Sequence, residues 1–134
     1  MTTVFDLGAE LTKLRMLRGR TPATADAEKQ GAMARLAPYR DGAIFAAKFA
    51  GISAWERHPQ GDEIVQIVEG STILHLITAE GRQSLMLTAG AMVIVPQNAW
   101  HQFESRDGVS VVTATPQPTE HVRSDVDDPR KASR

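Results

Sequence analysis

No cysteine occurs in the 134 residues, which excludes disulfides, thiolate nucleophiles and cysteine-ligated zinc. Histidine is scarce, at four residues, so the placement of each ring carries information. Neither sign of charge dominates: 15 basic and 16 acidic residues leave a net charge of -1. The chain therefore has no global attraction to nucleic acid or to anionic membranes. No apolar run approaches the roughly 20 residues needed to span a bilayer, and the opening "MTTVFDLGAELTKLRMLRGR" lacks the charged-then-apolar order of a signal peptide. Neither a Gly-rich phosphate loop nor a G-x-S-x-G elbow is found, so nucleotide transfer and serine hydrolysis have no support. The expectation is a cytoplasmic protein with no nucleic-acid or membrane partner.

Apolar content of 42% and charged content of 23% are ordinary for a globular chain, and the length suits one core. From Ala43 the sequence reads as short Val- and Ile-rich runs, "AIFAAKFAGISAW", "EIVQIVEG", "STILHLIT", "QSLML", "AMVIVP" and "VSVVTAT". Between them stand "HPQGD", "AEGR", "TAGA", "PQNA" and "SRDG", whose Gly, Pro, Asn and Asp mark turns. Frequent turns between short strands predict an all-β protein, an antiparallel sandwich or barrel over residues 43–115. Several runs are apolar on both faces, so a covering layer is expected from the N-terminal arm or from a second subunit. Residues 1–42 are assigned to a partly irregular N-terminal arm, whose Lys13, Arg15, Arg18 and Arg20 read as solvated. Residues 116–134 are polar and proline-rich, and are expected to be flexible or loosely laid on the surface.

The stretch "WERHPQGDEIVQIVEG" places Glu56, His58, Asp62 and Glu63 within eight residues. Pro59 and Gly61 forbid one helix across them, so the reading is a strand, a loop and a strand folded as a hairpin. Glu56 and His58 share one face of a strand, with Arg57 on the other. Glu56, His58 and Glu63 can then converge as oxygen and nitrogen ligands for a divalent metal. His101, which follows a buried-looking strand and a turn at Pro96 and Asn98, is the fourth candidate. If it faces inward, Phe103 does too.

These two stretches resemble the paired motifs of the cupin superfamily, G-x5-H-x-H-x3-4-E-x6-G and G-x5-P-x-G-x2-H-x3-N. His58, Glu63 and Gly70 stand at the spacing of the second half of the first motif, and Gly90, Pro96 and His101 at that of the second. Three positions depart: Glu56 fills the slot of the first histidine, Asn98 the glycine, and Ser105 the final Asn. The resemblance implies a small single-domain antiparallel β-barrel or jelly roll (double-stranded β-helix) holding one divalent ion (Fe, Mn, Zn or Ni) on His58, Glu63 and His101, with Glu56 carried over by position only. With Glu56 as a ligand, the shell of a divalent ion would be near charge neutrality, lowering its Lewis acidity. Alternatively, His58, Glu63 and His101 form a two-histidine, one-carboxylate triad, and Glu56 is a catalytic acid or base beside it.

Val65, Ile67 and Phe103 are expected to line the pocket, with Met92 a further candidate. His75 reads as a partly exposed strand histidine, and His121, in the polar tail, is given no role. Trp55 and Trp100 adjoin proposed ligands and should face outward, into a covering layer or a dimer interface. The resemblance implies a metalloenzyme of dioxygenase, isomerase or lyase type acting on a small polar molecule chelated at the metal. The alternative is a non-catalytic binding or sensing module. A homodimer is expected from the apolar outer faces.

Overall fold

The computed structural model describes residues 2–132; Met1, Ser133 and Arg134, the outermost residues of the two flanking segments, lie outside it. One short helix, α1 (Leu7–Thr12), precedes nine strands: β1 (Leu17–Arg20), β2 (Met33–Tyr39), β3 (Gly42–Ile52), β4 (Trp55–Arg57), β5 (Glu63–Thr78), β6 (Gly81–Thr88), β7 (Met92–Val95), β8 (Trp100–Pro116) and β9 (Glu120–Val122). The chain is all-β, as its turn-punctuated apolar runs predict. β8 is the organising strand, antiparallel to β3 on one edge and to β5 on the other. β6 and β7 pair with successive halves of β5. The hydrogen-bonded path is open and does not close into a continuous barrel.

Alternation decides what each long strand buries. Along β5, Glu63, Val65 and Ile67 point inward while Ile64 stays exposed. Val65, Ile67, Leu74, Leu76, Phe103, Val109 and Val111 form the main core. Both long strands break register near glycines, between Gly70 and Ile73 of the β5–β8 ladder. Gly70 has φ +74°, and a Cβ there would lie 2.2 Å from the Gly108 carbonyl oxygen. Neither the conformation nor the approach tolerates a side chain, so Gly70→Ala is expected to cost about 2–3 kcal/mol in urea unfolding.

The N-terminal arm is irregular only in part. Its Asp6 side chain caps α1 by accepting from the Ala9 N–H. The helix seats Leu11 on Ala46 and Val112, with Leu7, Leu14 and Leu36 packed around them. The covering layer expected over the outer wall is thus supplied by the chain itself. β1 adds parallel to β3 and β2 antiparallel to it, so the segment 1–42 carries two strands that the sequence did not announce. Gly19 at φ +66° breaks the alternation in β1, which buries Leu17 and Arg20, three residues apart.

The C-terminal segment departs further from expectation. Rather than lying loose, residues 120–122 form β9, which pairs with β4 through Trp55↔Val122, Glu56↔His121 and Arg57↔Glu120. Trp55 (0% exposed) and Trp100 (4%) do point away from the main core, but they pack with Ile77 and Val122 into a core of their own. The Trp55 indole N–H donates to the Val126 carbonyl at 2.9 Å. Two tryptophans on an outer face needed a cover, and a polar-looking tail with well-placed valines provides it.

Candidate metal centre

Two loops bring His58, Glu63 and His101 together. His58 follows β4 directly, and the backbone N–H of Asn98 donates to its carbonyl at 3.0 Å. Asn98 sits at φ +65°, the left-handed conformation its side chain tolerates in place of glycine. Asp62 accepts from the Gln97 N–H at 2.7 Å, and the Gln97 amide donates to the Pro59 carbonyl at 2.7 Å. Loop 58–62 is thereby tied to loop 96–99. The hairpin expected between β4 and β5 does not form. β4 pairs with β8 and β9, whereas β5 begins against β7 at Glu63↔Val95. The Pro59–Asp62 loop carries the chain across to another edge of the sheet, and the ligands meet across the interior.

His58, Glu63 and His101 offer ligand atoms that all lie within 4.8 Å of one another, and all three side chains are buried. Glu63 Oε1 is 3.3 Å from His58 Nε2 and 3.2 Å from His101 Nε2; the two rings are 5.1 Å apart. The outer contacts fix the orientation. His101 Nδ1 is 3.0 Å from the Ala99 carbonyl, which can only accept, so Nδ1 carries a proton and Nε2 is the nitrogen turned toward Glu63. His58 Nδ1 contacts the Thr119 hydroxyl at 2.9 Å, and Thr115 donates to Glu63 Oε2 at 2.6 Å. By contrast, His58 Nε2 and Glu63 Oε1 are buried with no hydrogen-bond partner. Burial pushes the Glu63 carboxyl up, but the imidazoles of His101 and His58 outweigh it and hold it at about 2. Burial likewise opposes protonation of His101, yet the Glu63 and Glu56 carboxylates raise its pKa.

No protein-family model and no curated protein matches the sequence. Solved structures do match. One is a cupin-2 domain protein from Shewanella frigidimarina, 22% identical over 63% of this chain and 79% of that one, with a TM-score of 0.53. Another is hydroquinone 1,2-dioxygenase from Sphingomonas sp. with 4-hydroxybenzoate bound, 18% identical over 64% of this chain, TM-score 0.56. A second hydroquinone 1,2-dioxygenase, in complex with Cd2+ and 4-hydroxybenzonitrile, is 14% identical over 63% of this chain, TM-score 0.54. This chain spans 65% and 63% of the two dioxygenase chains.

The fold is a cupin fold.

Within this fold, the fourth candidate stands apart from the other three. The Glu56 carboxylate lies 3.3 Å from His121 Nε2 and is not among the converging ligand atoms. Burial raises its pKa, but the hydrogen bond from His121 and the proximity of His101 outweigh that and lower it. Arg57 points the opposite way, as strand alternation requires, with its guanidinium 4.6 Å from the Trp100 ring centre. A cavity of about 310 Å³ opens beside Glu63 and is also lined by Glu56, Phe49, Phe103 and His121. Phe103 lines it. Val65 and Ile67, expected at the pocket wall, are instead fully buried in the main core and do not line the cavity. Met92 is 60% exposed on the outer face, because the inward positions of β7 are Val93 and Val95.

Sequence reasoning missed three participants. His121 and Thr119 sit in the segment expected to be loose, and nothing local in "PQPTEHV" distinguishes them from a polar tail. Arg20 was grouped with solvated arm cations, yet it is 8% exposed and lines the cavity. His75 lies away from the cavity, bonded to Ser84 at 2.8 Å and Glu104 at 2.9 Å.

Proposed function

We propose that this chain is a metal-dependent enzyme in which His58, Glu63 and His101 hold one divalent ion and the adjoining cavity takes a small organic substrate. The single observation that carries the reading is the pair of orphaned buried atoms, His58 Nε2 and Glu63 Oε1, facing each other beside an inward-aimed His101 Nε2. Leaving such atoms unpaired costs free energy, and a divalent ion shared by two imidazoles and a carboxylate removes that cost. The donor set suits Fe, Mn, Zn or Ni. When bound, such an ion polarises a substrate oxygen and supports an oxygenase, isomerase or lyase reaction. The dioxygenases of similar fold, one with Cd2+ and both with aromatic ligands, support this reading.

Glu56 then acts as the proton carrier rather than as a fourth ligand. It lines the cavity, and its bond to His121 gives it a partner with which to exchange a proton. Thr119 orients His58, and Thr119→Val is expected to weaken metal affinity about 10–100-fold without unfolding the chain, as read by competition with a chromogenic chelator.

The reading is tested by metal analysis of protein purified without chelator, together with Glu56→Ala. Near-stoichiometric metal in both supports it. Loss of metal in Glu56→Ala would make Glu56 a ligand, and a wild type that refuses Fe(II), Mn(II), Ni(II) and Zn(II) would point to a metal-free binding module. An Fe(II)-loaded sample that binds nitric oxide favours an enzyme over a closed structural site.

A cytoplasmic location is proposed. A homodimer is proposed on the outer face, where Ile64 (40%), Met92 (60%) and Ile94 (59%) stay exposed on adjoining strands. Sedimentation equilibrium should return twice the chain mass, reverting to one chain mass in Ile94→Lys.

A further inference from the structure

Arg20 is a cation where the fold would ordinarily place an apolar residue. It ends β1 opposite Gly51 of β3. A Cβ on Gly51 would lie 2.2 Å from the Arg20 carbonyl oxygen and 2.5 Å from its nitrogen, so the glycine lets β1 close down and drive the Arg20 side chain inward. There the guanidinium lies 4.5 Å from the centre of the Phe49 ring. Its Nε is buried with no hydrogen-bond partner, and among the described residues Arg20 makes no ion pair. Burying such a group unpaired is costly. A salt bridge to Glu56 would have relieved that cost, but Glu56 is turned to His121.

Arg20 lines the same cavity as Glu63 and Glu56, and Phe45, Phe49 and Phe103 supply its aromatic walls. A second depression shares Arg20, Phe45 and Glu56 with that cavity and adds Lys29, Arg35 and Arg123. Asp26 is the one acid added at this rim, and it sits 3.5 Å from both Lys29 and Arg123. The approach is thus basic outside, and within it the Arg20 guanidinium, its Nε without a hydrogen-bond partner, stands with three phenyl rings and the Glu56 and Glu63 carboxylates.

The geometry points to Arg20 as the anchor for a substrate carboxylate, and to the substrate as a small carboxylic acid with a flat apolar body. The guanidinium offers a planar fork of donors that matches a carboxylate, and the apolar wall made by Phe45 and the edge-to-face Phe49 and Phe103 rings suits an unsaturated or aromatic body better than a polar one. The carboxylate is held at the Arg20 end of the cavity, and the rest of the molecule extends toward Glu63. This deepens the enzyme reading above and rests on it for the reaction, though binding at Arg20 is measurable without turnover.

The test uses the full chain as purified, with its metal content recorded, and two isosteric probes, benzoate and benzamide, in calorimetric titration. Wild type is expected to bind benzoate at least about tenfold more tightly than benzamide, the range of a charge-assisted hydrogen-bonded pair. In Arg20→Met that ratio should fall to near one, with metal content unchanged. Equal affinities in wild type, or an undiminished benzoate preference in Arg20→Met, would overturn the assignment. Should Arg20→Met fail to fold, the wild-type Arg20 Nε–H resonance decides: a shift with benzoate and none with benzamide supports the anchor, and no shift with benzoate refutes it. A protein that binds no metal but keeps the Arg20-dependent preference sinks the metalloenzyme reading alone. One that binds metal but shows no preference sinks only the anchor.

Discussion

His101→Ala is expected to abolish metal binding, lowering affinity by more than the roughly 10–100-fold typical of losing an outer orienting contact. The reason is geometric. His101 is 1% exposed, its Nδ1 proton is committed to the Ala99 carbonyl, and its Nε2 stands 3.2 Å from Glu63 Oε1. No neighbouring group can substitute, since among the described residues only His58, Glu63 and His101 bring ligand atoms within one coordination sphere. Because a ligand that binds only the folded state stabilises it by mass action, the wild type should also melt higher with added metal. The variant should show no such rise. A variant that still binds metal stoichiometrically would place the ion elsewhere, with Glu56 and His121 the next pair to examine.

Trp55→Ala is expected to destabilise the fold by about 3–5 kcal/mol, the range for deleting a large buried aromatic side chain. Trp55 has no exposed surface and anchors the second core with Trp100, Ile77 and Val122. Its loss also strands the Val126 carbonyl that its indole N–H serves. Against a typical total stability of about 5–15 kcal/mol, this is a large fraction. It also undocks β9, which brings Thr119 and His121 to the site, so metal affinity should fall with stability. Urea titration followed by Trp100 fluorescence measures the first effect. A loss below about 1 kcal/mol would mean that the C-terminal segment does not cover Trp55 in solution.

The barrel strands were readable because their physics is local. Val- and Ile-rich runs bounded by Gly, Pro and Asn specify a half-buried pleated surface, and β5 and β8 follow that pattern. The convergence of His58, Glu63 and His101 was readable because two short motifs place them at fixed offsets from turn residues. What could not be read is whatever depends on a partner strand. Arg20 faces inward only because Gly51 admits the β1 backbone, and Gly19 upsets the alternation that would have flagged it. His121 looks like one more residue of a polar tail until β9 pairs with β4 and sets it against Glu56. Val65 and Ile67 share the face of Glu63, but the strand runs past the cavity and takes them into the main core. Period-two alternation tells which face a residue occupies; how far along that face the cavity extends is a property of the assembled sheet.

We propose that one divalent ion sits between His58, Glu63 and His101. Anomalous diffraction from crystals grown with Mn(II), comparing wild type with Glu63→Gln, tests this directly. One strong peak bonded to Nε2 of both histidines and to a Glu63 carboxylate oxygen is expected in wild type, and none in Glu63→Gln. No peak in wild type, or a peak on Glu56 and His121 that survives Glu63→Gln, would contradict it.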